Sequence, residues 1–449
     1  MRKFFIILFF AIGFGFSGES LSLKNAISEG LKGNLDIQKA ELGSDGIDAQ
    51  VNAAFRSYLP QLTASGTVTR LWANDPTTMP NYPSWISALS GGTALDPANA
   101  MLSIPINWNV SGDLTLTQFI YVPQALTGIS MAKKGKEIDA LGKQELKEGI
   151  IYGIAMQYWT TVYMEENLAI LTKSYGNLSK TQLVISAMVE QGIAKKSDLN
   201  TMNINLSSLS TQIDNLSVQI SGQKDALLQI LGRAPGAEID LTDRLEITKT
   251  QNNFEGDPIQ SSITLKRMEQ QIKLQDMQID LTGQEIYPNV ALFATYGTQA
   301  SREDFDFFSS PQDKFKDNGT VGLKVSVPIF DGMSNSAKRT NARIQKRQLE
   351  LEVEKEKLSL QASVANAKAV LQNAHASVER NRETVQLSEE NYSMKELEYK
   401  EQVAPLTDLL TADNNLQTAQ SNLINALYTE KSAELALQQI LSTLHKMAE

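Results

Sequence analysis

The sequence has no cysteine, only two histidines, and no apolar run long enough to cross a bilayer as a helix. Without cysteine there can be no disulfide, no thiolate metal site, no cysteine nucleophile and no acylated cysteine to tether the chain to lipid. His375 and His445 lie far apart, and a lone helical histidine is more often a surface residue than a base or a ligand, so no catalytic, cofactor or metal set can be assembled. The thirteen methionines are scattered and mark no copper path. Positive charge is also scarce: the net charge is −10 and the pI near 5.0, which argues against nucleic acid as a partner. Proline is missing from Pro328 to Pro405, so nothing in that stretch has to interrupt a helix.

What is present is organised around Asn318 to Leu441. In NGTVGLKVSVPIF, Val321, Leu323, Val325, Val327 and Ile329 alternate with Thr320, Gly322, Lys324, Ser326 and Pro328, the period of a strand with one apolar face. After Asp331-Gly332 the pattern changes to roughly seventy residues rich in Ala, Leu, Glu, Lys and Gln. A helix of that length is on the order of 100 Å long, more than any compact globular domain needs. The alanines along it, such as Ala362, Ala365 and Ala369, suit close helix packing, and equally suit helix formation alone.

At the other end, Arg2 and Lys3 precede an apolar run from Phe4 to Phe16 and small residues at Ser17 and Ser20. Residues 1–20 therefore read as a secretory signal peptide cut after Ser17 or Ser20, and a Gly13/Gly15/Gly18 dinucleotide-like motif falls inside it. Leu21 to Tyr58 reads as one helix with Leu23, Ile27, Leu31 and Leu35 on a stripe. Strands follow at about 59–72, with Leu62, Ala64, Gly66 and Val68 on one face, and at about 109–121, with Val110, Leu114, Leu116 and Ile120 on one face. A loop rich in Pro, Gly, Asn and Ser, Ala73 to Asn107, separates them. A helical hairpin of about 123–231 turns at Gly192-Ile193-Ala194, and residues 233–257 form a turn-rich connector. Helix resumes from about Pro258 to Ile286, then strands at about 287–299 and 318–330 flank a charged loop, with Phe293 interrupting an otherwise polar face. A second hairpin of about 332–441 turns at Val403-Ala404-Pro405.

Residues 21–232 and 258–449 thus read as two copies of one plan. A shift of 210 residues lays Ala194, Asp198, Leu199, Thr201 and Asn205 on Ala404, Asp408, Leu409, Thr411 and Asn415. Strands of about ten residues, apolar on one side and hydroxyl-rich on the other, suit a transmembrane barrel. Trp72 and Trp108 border the long loop, and Tyr58, Tyr121, Tyr287 and Phe330 the opposite strand ends, as two interfacial girdles would; aromatics capping a soluble sandwich would look alike. Four strands cannot close a barrel, so membrane insertion would require two, three or four chains.

The duplication, the Leu21-Ser22-Leu23-x-x-Ala26 start, the VGLKVSVPIFDG strand, the Gly192-Ile193-Ala194 turn and the Leu409-x-x-Ala412 step resemble the TolC family of outer-membrane efflux channels, over essentially the whole chain. The resemblance implies a mixed α and β fold: a homotrimer with a 12-stranded β-barrel in outer-membrane lipid, continued by a 12-helix α-barrel in the periplasm. It implies an exit duct of a tripartite efflux or type I secretion system, served by a periplasmic adaptor protein and an inner-membrane pump of RND or ABC type. The two turns are where the adaptor would dock, although Gln402 stands where the family usually keeps a glycine. Asp408 matches an acidic ring at the periplasmic mouth, and a second family aspartate is replaced by Thr411. Tyr399, Ser197 and Asp198 match residues that tie neighbouring hairpins shut, with Ala404 in place of the usual arginine and Lys195 or Lys196 nearby. Asp198 and Asp408 are equally what helix starts carry for dipole reasons alone. A second function class, a non-conducting coiled-coil or adhesin of the envelope, would need the helices and not the strands.

Overall fold

A computed structural model describes residues 19–72, 107–246, 257–307 and 315–447. Most of the leader expected at 1–20, most of the 73–107 loop, the end of the connector and the middle of the charged loop lie outside the described residues. The fold is mainly helical with a smaller sheet, and the chain divides into two compact units. One is built from Met1–Gly46, Lys136–Lys273 and Arg347–Glu449, the other from Ile47–Gly135 and Leu274–Lys346.

The elements run β1 (Glu19–Leu21), α1 (Leu23–Gly33), α2 (Leu35–Arg56), β2 (Gln61–Arg70), β3 (Trp108–Tyr121), α3 (Pro123–Glu190), α4 (Lys196–Leu231) and β4 (Ile239–Leu241). Then come α5 (Pro258–Ser261), α6 (Ile263–Gly283), β5 (Asn289–Arg302), β6 (Lys316–Ser326), α7 (Ser334–Lys400) and α8 (Leu406–Ile440). Short 3-10 turns sit at Gln284–Ile286 and Leu444–Met447. The single helix expected over 21–58 is two. Asn34 leaves helical geometry, and its side-chain oxygen accepts from the amides of Asp36 (2.9 Å) and Ile37 (3.3 Å), starting a new helix instead of continuing the old one. Ser262 breaks the helix expected over 258–286 in the same manner, accepting from Leu265 N at 3.2 Å. The strand expected to reach Phe330 ends at Ser326, because its partner begins at Asn289 and nothing lies opposite Val327 to Phe330.

In the second unit the four strands form one antiparallel sheet in the order β2-β3-β5-β6. Register places side chains in rows: Leu62, Leu116, Ala294 and Val321 on one face, and Thr63, Thr115, Thr295 and Thr320 on the other. The expected alternation is therefore present across all four strands, broken only by a bulge between Phe119 and Tyr121. Phe293 does lie on the hydroxyl face, with its ring against Gly322 of the next strand. The apolar face is bare: Leu62 is 69% exposed, Val321 76% and Leu323 58%. Among the described residues β2 and β6 are open edges.

The first unit has its largest core where α1, α3, α4, β1 and β4 meet, with Ile27, Ile154, Tyr158, Leu227 and Leu228 fully enclosed. β1 pairs with β4 in parallel, Glu19 opposite Ile239 and Leu21 opposite Leu241, a contact that brings Glu19 and Ser20 into the fold. The Tyr158 hydroxyl, with one proton to donate, lies 2.7 Å from Asp243 Oδ2 and 2.9 Å from Leu21 O, and Asp243 Oδ2 also accepts from Leu23 N at 2.7 Å. Burial is the main cause that pushes the Tyr158 phenol well above its ordinary range. Arg233 bridges Glu19 and Glu29. Gly33 allows α1 to approach closely, since a Cβ there would collide with the Leu231 carbonyl.

Candidate functional site

Both helical turns are built alike. After α3, Gly192 takes φ +74°, its amide donates to Val189 O (3.0 Å) and the amide of Ile193 donates to Met188 O (2.8 Å), the Schellman closure of a helix end. After α7, Gln402 takes φ +59°, its amide donates to Tyr399 O (3.0 Å) and the Val403 amide to Glu398 O (2.8 Å). Each next helix then starts with one amide turned back, Asp198 N to Lys195 O and Asp408 N to Pro405 O. The 210-residue shift thus maps bond onto bond. Ile193 (56% exposed) and Val403 (76%) project from the turns, beside the half-buried Ala194 and Ala404.

Beneath the turns Met188, Ile193, Lys195, Asp198, Tyr399, Gln402 and Pro405 line a cleft of about 290 Å³. Three of the four expected gate residues come together here. Ser197 Oγ donates to Asp198 Oδ1 at 3.2 Å, and burial followed by the facing Asp198 carboxylate raises the Tyr399 phenol above its ordinary value. Lys195 lies in the same cleft, where the sequence reading offered it in place of an arginine. Asp408 is set apart from them. Its carboxylate acts on Lys395, whose ammonium is held protonated first by Glu398 at 2.7 Å and then by Asp408. Both aspartates stand in the first turns of their helices, where the dipole favours them.

One buried polar cluster was missed. Asp413, two residues past Thr411, is 4% exposed and accepts from Ser174 Oγ (2.7 Å) and Gln417 Nε2 (3.0 Å). Burial raises its pKa in spite of those two bonds, and burial with the Asp413 and Glu396 charges pushes the Tyr392 phenol up to about 12. In the sequence Asp413 looked like any acid on a solvated helix. The two histidines are structural partners of buried acids: His375 Nδ1 lies 2.7 Å from Glu430, and His445 Nδ1 lies 2.7 Å from Glu148, which also accepts from Leu444 N. Among the described residues no three acids or histidines gather as a metal site.

The expected girdle aromatics stand at the two ends of the sheet. Trp72 is 92% exposed, and Trp108 lies beneath the Arg70 guanidinium (5.4 Å) and edge-on to Phe305 (4.9 Å). At the far end Tyr121, Tyr287 and Phe330 are exposed, while the Tyr58 hydroxyl donates to Val122 O at 3.2 Å and fixes the passage from β3 into α3. Among the described residues no helix is long and apolar enough to cross a membrane.

Comparison with known proteins places this geometry. Residues 257–443 match the family described as outer membrane efflux protein. No curated protein matches the sequence. The fold is similar to the outer-membrane channel OprN at 14% identity, covering 94% of this chain and 90% of that one with a TM-score of 0.72. It is also similar to VceC of Vibrio cholerae (17% identity, 94% and 96% covered, TM-score 0.69). A third match is the open state of the MtrE outer-membrane channel of Neisseria gonorrhoeae (16% identity, 95% and 90% covered, TM-score 0.72). Residues 257–443 therefore match the outer membrane efflux protein family, and the chain has, along nearly its whole length, the fold of these outer-membrane channels.

Proposed function

We propose that this protein is the outer-membrane exit duct of a tripartite efflux or type I secretion system. It would conduct cargo passively from a periplasmic adaptor and an inner-membrane pump of RND or ABC type, with no catalytic step of its own. The observation that carries this reading is the sheet: four strands with a bare apolar face, a threonine-lined opposite face and two open edges. Backbone edges cannot be left unpaired in lipid, so the sheet needs copies of itself. On this reading three chains, each an internal duplication, close a 12-stranded barrel, with the apolar face toward outer-membrane lipid and the aromatics at both interfaces. The helical part extends into the periplasm as a 12-helix barrel, held without a lipid anchor. Asp198, Ser197 and Tyr399 latch adjacent hairpins, Asp408 forms a ring of like charges at the mouth, and the turns at Gly192-Ile193-Ala194 and Val403-Ala404-Pro405 receive the adaptor.

Single-channel recording of the detergent-purified protein in planar lipid, with light scattering on the same sample, tests it. A conducting trimer is expected. A conducting monomer overturns the assembly, and a protein that never conducts belongs to the envelope rods or adhesins instead.

A further inference from the structure

The hydroxyl face of the sheet carries one feature that a passive duct does not require. Near the end where β3 passes into α3, a hollow of about 560 Å³ opens between β3, β5 and β6. That is the volume of a site for a drug-sized molecule. The face is otherwise mostly threonine, serine, asparagine, glutamine and glycine, with Asp113, Lys316 and Lys324 as its charged residues, and Phe119 and Phe293 are its aromatic residues. They sit diagonally on neighbouring strands, Phe119 opposite Ala291 and Phe293 opposite Thr117, near enough for one planar molecule to touch both. Two small residues make the room. Gly322 lets the Phe293 ring lie flat, since a Cβ there would come within 2.8 Å of it, and Ala291 separates Phe119 from Lys324. The exposed Lys324 ammonium closes the third side, with Thr115 and Thr117 as hydroxyl partners on the first.

We infer that this hollow is a resting site for planar aromatic anions, the rings held by Phe119 and Phe293 and the acid by Lys324. The inference rests on the duct reading, because only there does this face line the bore. Aromatic contacts orient a flat molecule at little cost, and the cation selects the sign of its charge. A site of this kind slows such cargo near the helix-to-barrel junction.

The test uses the full-length protein in planar lipid with 1-naphthoate as blocker and 1-naphthylmethylamine as its cationic counterpart. Naphthoate should reduce the current, and Phe119→Ser or Phe293→Ser should raise its half-blocking concentration about fivefold, the weight of one aromatic contact. Lys324→Gln should weaken block by naphthoate and leave or improve block by the amine. Ala291→Leu, which fills the hollow and keeps both rings, should abolish naphthoate block at unchanged open conductance; this variant guards against a misassembled phenylalanine mutant. Equal naphthoate block in the wild type and Ala291→Leu overturns the inference while the duct stands. If no form conducts, naphthoate fluorescence on the detergent-solubilised protein decides it: loss of binding in Ala291→Leu retains the site and removes the duct, and equal binding removes both.

Discussion

The turn at 191–195 and the turn at 401–405 close with the same hydrogen bonds, yet one has glycine at the left-handed position and the other has Gln402. A side chain there costs about 1–2 kcal/mol, so something outside the second turn has to hold it. The helices that follow supply the difference. In α8 Leu406, Leu409, Leu410 and Ala412 are buried within the first two turns, whereas the same stretch of α4 buries only Met202. The ends of these helices repeat the contrast, Gly232 at φ +81° after α4 and Ser442 at φ +52° after α8. At the two turns strain is accepted where packing fixes the chain; at the end of α4 the glycine has a different cause, since a Cβ on Gly232 would collide with the Gly33 carbonyl.

The sharpest way to break this comparison is through the packing. Leu409→Ala should cost about 2–5 kcal/mol in thermal or denaturant unfolding, and Leu199→Ala, at the half-buried matching position, clearly less. Equal losses would mean that burial does not distinguish the turns. An exchange of the turn residues comes next. Gly192→Gln should lower stability by about 1–2 kcal/mol, while Gln402→Gly gains less than that because the freed unfolded chain offsets part of the relief. Both are read from the denaturant midpoint.

Much of this architecture was legible beforehand. Alternation located all four strands of the larger sheet, and the proline-free stretch located the long helix α7, because period and helix breakers are local signals. The breaks at Asn34 and Ser262 were not legible, since an asparagine or serine within an apolar stripe becomes a cap only when packing ends the first helix. β1 was invisible for a different reason: three residues have no period, and their partner lies at Ile239. In the site, Gly192 announced its turn by residue type, whereas the conformation of Gln402 and the burial of Asp413 follow from contacts made by other helices.

Two smaller effects sharpen the contrast between the halves. Asp198 faces Tyr399 in the cleft that Lys195 also lines, whereas the Asp408 carboxylate acts on Lys395. On the duct reading Asp408→Ala should lower cation over anion permeability about twofold with resting conductance unchanged, whereas Asp198→Ala combined with Tyr399→Phe should raise resting conductance. Reversal potentials in a salt gradient and the current at rest separate them. The last concerns Asp413, whose counterpart 210 residues earlier is the exposed Asn203. Its raised folded pKa means that its contribution to stability is complete below the ordinary 3.8 and is lost as pH rises through the folded value. Asp413→Asn should flatten stability against pH in that window, and Asn203→Asp should leave the profile almost as it was.

The pairing of Glu19–Leu21 with Ile239–Leu241 also bears on how the molecule comes into being. A chain that emerges amino end first presents β1 at once, but β4 and the Arg233 side chain that would fasten it follow more than two hundred residues later. Closing so large a loop costs only slightly more entropy than closing a shorter one, since the cost grows with the logarithm of length, but the wait is set by synthesis. Throughout that interval the amino-terminal strand is an unpaired edge, and the core around Ile27 lacks Leu227 and Leu228. β1 is secured only once the chain has passed Leu241, and a nascent chain cut off before Arg233 lacks both its strand partner and its ion-pair partner.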